Sequence, residues 1–171
     1  MSKTFEELAT REIDGLYQGA LFLTAGIEAE AEQLLIDTLG RSFHRFQASD
    51  TVEDIRRWLE GRLVSTFIDS RVRSDEPAPR RSHRPGQPGA RAAFGALDGK
   101  GLNLAAAAVP WGARAALWLV LLRRWSYADA SATIGVTADV LKDLLEYRHT
   151  LMGAILGSNT GNAGARRLSG T

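Results

Sequence analysis

The 171-residue sequence contains no cysteine. This absence excludes disulfide bonds, thiolate-bound zinc, iron–sulfur clusters and cysteine nucleophiles, and it is typical of a protein of the reducing cytoplasm, where we expect this one. The histidines lack metal-ligand spacing, so we expect no metal site: they are His44, His83 and His149. No phosphate-binding loop, serine-nucleophile motif or HExxH motif occurs in the sequence. We therefore expect a protein that is not an enzyme, with no cofactor and no small-molecule substrate.

Long apolar runs are also scarce. The most apolar stretch, 105–122, contains Pro110, Gly112 and Arg114 and falls short of the roughly 20 apolar residues that cross a bilayer. The first residues are too polar for a signal peptide, so we expect neither a targeting segment nor membrane insertion. With 44% hydrophobic and 24% charged residues, the composition is that of a globular protein.

The formal net charge is only +1, but the two signs of charge are separated along the sequence. Residues 1–70 contain 7 basic and 13 acidic residues, whereas residues 71–103 contain 7 and 3, and residues 104–171 contain 7 and 4. A uniformly basic nucleic-acid-binding protein is therefore excluded. The asymmetry predicts two modules with different partners.

Apolar residues recur at helical spacing through most of the sequence and show no strand pattern. They predict helices over 12–25, 27–46, 52–72, 110–122, 127–134 and 138 to about 156. Residues 73–104 hold four of the five prolines, five glycines and six basic residues, a composition typical of a flexible linker. The predicted fold is all-α, with two small helical domains, 1–73 and 105–156, a linker over 74–104, and a disordered tail over 157–171.

The segment 126–149 has the most informative spacing. Ser126 and Thr137 are suitable N-caps for a short helix and for a second, amphipathic helix, and a turn at Gly135 separates the two. Small Ala130 lets the helices approach, and the apolar residues available for a shared core are Ile134, Val136, Leu141 and Leu145. This pattern predicts a helix-turn-helix whose second helix can lie in the major groove. It is equally typical of a helical hairpin that packs only for stability.

Five short motifs in the second half of the chain fall in register with one known pattern. They are Val109-Pro110, the aliphatic run Leu117–Leu122, Ser126-Tyr127, Ile134-Gly135-Val136 and Leu141-Lys142. Together they resemble the C-terminal promoter-reading domain of extracytoplasmic-function sigma factors of bacterial RNA polymerase.

The first half of the chain resembles the same family. The segment Ala31–Phe43 is similar to the family helix that docks on core RNA polymerase, with matches at Ala31, Glu32, Leu34, Asp37, Thr38 and Phe43. The segment Ile55–Arg73 is similar to the helix that contacts and opens the downstream promoter element, with matches at Trp58, Leu59, Ile68, Asp69, Arg71 and Arg73.

The resemblance implies a divergent sigma factor-like protein that binds core RNA polymerase and directs it to promoter DNA. It also implies an anti-sigma factor as a possible binding partner. It implies polymerase contacts at Glu30, Glu32, Gln33, Ile36 and Asp37. It implies DNA contacts at Arg71, Arg73, Arg123, Arg124, Thr137, Asp139, Lys142, Asp143 and Arg148.

The predicted recognition helix departs from the family pattern, because Asp143, Leu144 and Glu146 stand where neutral or basic residues are usual. A carboxylate is repelled by phosphates, although it can accept a hydrogen bond from the cytosine amine. An alternative is therefore a degenerate sigma-like interaction module that binds an anti-sigma factor or polymerase without specific DNA reading. A third interpretation is an unrelated helical bundle.

Several single features also have an ordinary structural interpretation. The four tryptophans are at helical spacing, which favours core positions over base stacking. The acids of the second predicted helix fit a solvated face as well as a docking face. The linker arginines fit a role in solubility better than a binding site.

Overall fold

The computed structural model describes residues 4–47, 54–74 and 99–165, and these residues form helices without any strand. The predicted all-α class is confirmed. The helices are α1 (Phe5–Leu23), α2 (Glu28–Gln47), α3 (Ile55–Arg73), α4 (Gly99–Ala106), α5 (Trp111–Leu117), α6 (Tyr127–Ile134), α7 (Ala138–Leu145) and α8 (Arg148–Ala165), with a π-helical segment, Trp118–Leu122, continuing α5. We call α1–α3 the N-terminal half and α4–α8 the C-terminal half.

In the N-terminal half, α1, α2 and α3 all pack against one another. Helix α1 begins seven residues before its predicted start, because Thr4 and Glu7 form a reciprocal cap in which each side chain accepts from the other's backbone N–H. It ends at Leu23, and Gly26 then takes a positive φ of 81°, a conformation that favours glycine. Helix α3 begins at Ile55, three residues later than predicted, because Asp54 caps it.

In the C-terminal half, α6 has the predicted bounds and α7 begins at the predicted residue. The Ser126 hydroxyl accepts from the Asp129 N–H at 3.1 Å, and the Thr137 hydroxyl accepts from the Val140 N–H at 3.4 Å. Gly135 has a φ of 78°, as a left-handed turn requires. The side chains of Ala130, Leu141 and Leu145 are buried between the helices and their neighbours.

The structure corrects the prediction for this half at three points. Residues 99–104 were assigned to the linker, but they begin α4, which packs against α1 and α8. The predicted last helix is interrupted after Leu145, and α8 continues through residues 157–165, which were assigned to a disordered tail. Burial of Leu151 and Ile155 anchors this last helix, so packing overrides a weak local preference. The rest of the predicted linker and tail, 75–98 and 166–171, lies outside the described residues.

The two halves share one hydrophobic core. Trp118 of the π-helical segment lies against Gly19 of α1, and the Arg114 guanidinium donates to the Leu23 carbonyl at 2.6 Å and to the Val109 carbonyl at 2.8 Å. Trp118 and Trp125 are buried, as predicted for core residues, whereas Trp58 and Trp111 are partly buried. The independence of the two halves as domains stays a prediction.

Candidate functional site

The predicted polymerase contacts share the solvent side of α2. The opposite side of this helix is buried against α1 and α3 through Ala31, Leu34 and Thr38. This burial leaves one exposed surface, which we call the α2 face and which consists of Glu30, Glu32, Gln33, Ile36 and Asp37. The side chain of Ile36 is 63% exposed among these polar residues. The Gln33 amide donates to Asp37 at 2.9 Å. The α2 face therefore combines carboxylates with one exposed apolar side chain.

The two predicted DNA contacts at the end of α3 are engaged with the protein itself. Arg71 forms an ion pair with Glu30 of the α2 face and lies over the Phe67 ring, 5.3 Å from its centroid. The Arg73 Nε donates to the Asp69 carbonyl of the same helix at 3.1 Å, and its side chain is exposed. This ion pair thus links a predicted DNA contact, Arg71, to a predicted polymerase contact, Glu30.

Arg123 and Arg124 differ in their surroundings although they are neighbours. Arg123 points into the molecule and forms an ion pair with buried Glu60, at 2.6 Å from the Arg123 Nε to the Glu60 Oε1. Arg124 is exposed and adopts a positive φ of 58°. Arg124 is therefore the better placed of the two to meet a phosphate.

Five charged and aromatic side chains join α3 to the C-terminal half, and we call them the Glu60 cluster: Arg57, Glu60, Arg123, Trp125 and Asp129. The sequence prediction missed this cluster. A signal was present, however, because Glu60 stands in the buried stripe of α3 between Leu59 and Leu63. A buried carboxylate in such a stripe requires a partner.

The predicted recognition helix, α7, exposes Asp139, Lys142 and Asp143. The Lys142 ammonium lies 3.5 Å from the Asp139 carboxylate, and the Thr137 hydroxyl is occupied as the N-cap. Beyond the helix, Arg148 lies 3.1 Å from Glu146. Both cations therefore have an acid beside them.

We call this surface the α7 face, and it comprises Thr137, Asp139, Lys142, Asp143, Glu146 and Arg148. Its three carboxylates exceed its two cations, so it has a net negative charge. A surface of this sign repels a phosphate backbone.

The predicted DNA contacts belong to three separate parts of the fold. Arg71 and Arg73 lie at the end of α3, Arg123 and Arg124 follow the π-helical segment, and the others lie on the α7 face.

A cleft of about 480 Å³ lies between α3 and α6. Its walls include Trp58, Arg62 and Ser65 from α3 and Thr133 from α6. The buried Nε of Arg62 has no hydrogen-bond partner among the described residues. Burial lowers the pKa of Arg62, and nearby Arg45 and Arg41 lower it further.

Residues 4–47, 54–74 and 99–165 contain no group of three His, Asp or Glu side chains able to hold a metal ion. Within the same ranges, no helix is both long and apolar enough to cross a bilayer.

The fold is similar to that of a sigma factor of solved structure. The structure is similar to that of the sigma factor RpoE of Bartonella quintana, solved in complex with the anti-sigma factor NepR, with a TM-score of 0.63 and 19% sequence identity. The similarity covers 90% of this chain and 96% of RpoE. No family model and no curated protein matches the sequence.

Proposed function

We propose that this chain is a sigma factor-like transcription initiation protein that binds core RNA polymerase and directs it to promoter DNA. The α2 face is the observation that carries the proposal, because all five side chains implied by the resemblance are exposed together on one helix. The fold shared with RpoE supports it.

The α2 face has the chemistry of a protein-docking surface. Exposed Ile36 supplies apolar area that a partner can bury, and the surrounding carboxylates of Glu30, Glu32 and Asp37 favour a basic partner. The polymerase would perform all catalysis, so the chain would act as a non-enzymatic cytoplasmic subunit. Promoter contacts would come from the exposed cations Arg73, Arg124 and Lys142.

A second candidate function is a sigma-like interaction module that binds an anti-sigma factor or polymerase without reading DNA. The α7 face favours it, because Asp139, Asp143 and Glu146 outnumber the cations there. The RpoE structure contains an anti-sigma factor, and a partner of that kind is part of this proposal.

Reconstituted transcription separates the two candidates. The purified chain is mixed with core RNA polymerase and genomic DNA fragments from its own source, and the run-off transcripts are sequenced. Discrete start sites that share upstream and downstream elements support the initiation function. Stable association with the core enzyme without specific transcripts supports the interaction module. Absence of association contradicts polymerase binding in both.

Two substitutions refine the test. Lys142→Ala and Arg148→Ala each remove one cation from the α7 face. A chain that reads the promoter through this face loses promoter-specific binding in both variants, by about 1–3 kcal/mol for a base contact. An interaction module retains its protein partners unchanged.

A further inference from the structure

We propose that the Glu60 cluster is an intramolecular lock that holds the C-terminal half over α3 and must open before α3 can engage promoter DNA along that face. The closing contact is derived from the structure alone. Its regulatory consequence rests on the proposed function, which gives α3 a role in promoter opening.

The centre of the lock is one buried carboxylate. Glu60 is 4% exposed, and its Oε1 accepts from the Arg123 guanidinium while its Oε2 accepts from the Trp125 indole Nε1 at 3.0 Å. Both donors belong to the C-terminal half, and the acceptor belongs to α3. A carboxylate that loses these donors while it stays buried carries a large desolvation cost. Partly broken arrangements are therefore unfavourable, and the two hydrogen-bonded donors are expected to leave Glu60 together.

A second contact lies beside the first. The Arg57 guanidinium lies over the Trp125 ring, 4.5 Å from its centroid, and donates to the Asp129 carboxylate at 2.7 Å. Asp129 also accepts from the Ser126 hydroxyl at 2.6 Å. The start of α6 is therefore tied to the start of α3 through side chains from both halves.

The lock places the C-terminal half over one face of α3. Trp58, Gly61 and Ser65 recur at helical spacing and line one wall of the cleft between α3 and α6. Trp125 and Thr133 line the opposite wall, and a Cβ built at Gly61 would be 3.2 Å from the Trp125 Cη2. Helix α6 therefore occupies the space that a partner bound along this face of α3 would fill.

The lock can be tested by a distance measurement because the chain has no native cysteine. Asp14→Cys and Ala128→Cys place one spin label on an exposed position of α1 and one on α6. The distance distribution between the labels is then measured by pulsed electron paramagnetic resonance. Glu60→Gln keeps the side-chain shape but removes the charge, and we expect it to add a longer-distance population that the parent lacks.

Glu12→Gln is the matched control. Glu12 is also a buried glutamate with arginine donors, Arg56 at 2.7 Å and Arg11 at 3.3 Å, but all three residues belong to the N-terminal half. This variant should keep the single short distance of the parent. Arg57→Gln removes the exposed pair with Asp129 and the guanidinium contact with the Trp125 ring but keeps the Glu60 contacts, so it should give a smaller shift in the same direction as Glu60→Gln.

Each outcome decides the proposal. A longer population in Glu60→Gln and Arg57→Gln, but not in Glu12→Gln, supports the lock. A single short distance in every variant overturns it, and so does an equal change in Glu60→Gln and Glu12→Gln. Should Glu60→Gln fail to fold, the comparison of Arg57→Gln with the parent decides in the same way.

The functional consequence is measured separately with core RNA polymerase and a promoter fragment found by run-off sequencing. The apparent affinity of the chain, in complex with core polymerase, for the promoter fragment scales with the open fraction. If Glu60→Gln raises the open fraction tenfold, this affinity should rise about tenfold. Unchanged affinity despite opening overturns the regulatory role. If neither protein binds polymerase or DNA, the proposed function fails, while the label distances still report the lock.

Discussion

Gly19 of α1 lies directly against the indole of Trp118, such that a Cβ built at Gly19 would be 2.3 Å from the Trp118 Cζ2 and 2.8 Å from its Cε2. The same Cβ would be 3.1 Å from the Leu63 Cδ2 of α3. Only a residue without a side chain lets the buried tryptophan of the C-terminal half approach α1 so closely. The joint between the two halves therefore depends on this glycine.

Gly19→Ala should destabilise the protein by about 1–3 kcal/mol, because a rigid buried ring would have to move. Gly15→Ala is the matched control, since a Cβ at Gly15 meets nothing within 4 Å. At that position alanine should stabilise helix α1 by about 0.5–1 kcal/mol. Urea denaturation of the two variants measures both effects. Equal stabilisation by both substitutions contradicts the close packing of Trp118.

Stability should fall on acidification because of Glu12. The hydrogen bond from the Arg56 side chain, opposed by burial, holds the pKa of Glu12 below its ordinary value near 4.5. A carboxyl with a lowered folded-state pKa stabilises the fold above the unfolded-state pKa and loses this effect as the pH falls through the folded-state pKa. We expect the free energy of unfolding to decrease below about pH 4.5.

Glu12→Gln isolates this contribution. The variant should be less stable than the parent at pH 7, and the difference should shrink as the pH falls from about 4.5 through the folded-state pKa of Glu12. The denaturation midpoints of the parent and the variant are measured at a series of pH values from about 3 to about 7. A difference that stays constant over this range shows that Glu12 is not titrating as proposed.

Polymerase association should depend on Ile36 of the α2 face. Ile36→Ser removes exposed apolar area and should weaken binding to core polymerase about tenfold, a loss typical of a central interface residue. Fold stability should hardly change, because the side chain is already 63% exposed. Leu104→Ser changes a comparably exposed apolar side chain, at 68%, on α4.

Equilibrium binding to immobilised core enzyme compares the three proteins. Binding that is weakened in Ile36→Ser and retained in Leu104→Ser places the interface on the α2 face. Equal binding by both variants removes the α2 face from the docking surface.

The sequence predicted the elements of the fold because their signals are local. The N-caps Ser126 and Thr137 and the turn glycine Gly135 act through their immediate neighbours, and the structure has all three where they were predicted. Helix α4 was missed because its glycines weaken helix propensity, while its stabilising contacts come from α1 and α8, distant in sequence.

The Glu60 cluster was missed for the same reason. Glu60 and Arg123 are separated by 63 positions, so no local pattern links them. The resemblance gave Arg123 a role at DNA rather than in an internal ion pair. The residues of the α2 face, in contrast, lie on a single helix, and the resemblance placed them together there.

The acids of the α7 face should oppose DNA binding by the intact chain. The Lys142 ammonium lies 3.5 Å from Asp139, and Asp143 is exposed on the same short helix. Asp139→Asn combined with Asp143→Asn leaves Lys142 without that carboxylate partner and removes two like charges from the approach of a phosphate backbone. We expect stronger binding to duplex DNA and a salt dependence steeper by about 0.9 for each additional phosphate contact.

The matched control removes two exposed acids from α1, through Glu6→Gln combined with Asp14→Asn. Both double variants change the net charge by the same amount, so long-range attraction alone would affect them equally. Fluorescence anisotropy with a labelled duplex over a series of salt concentrations compares them with the parent. A gain in DNA affinity that is confined to the α7 variant shows that this helix faces the DNA and that its acids limit binding. An identical gain in both variants shows that only net charge matters, and it then favours the interaction module that does not read DNA.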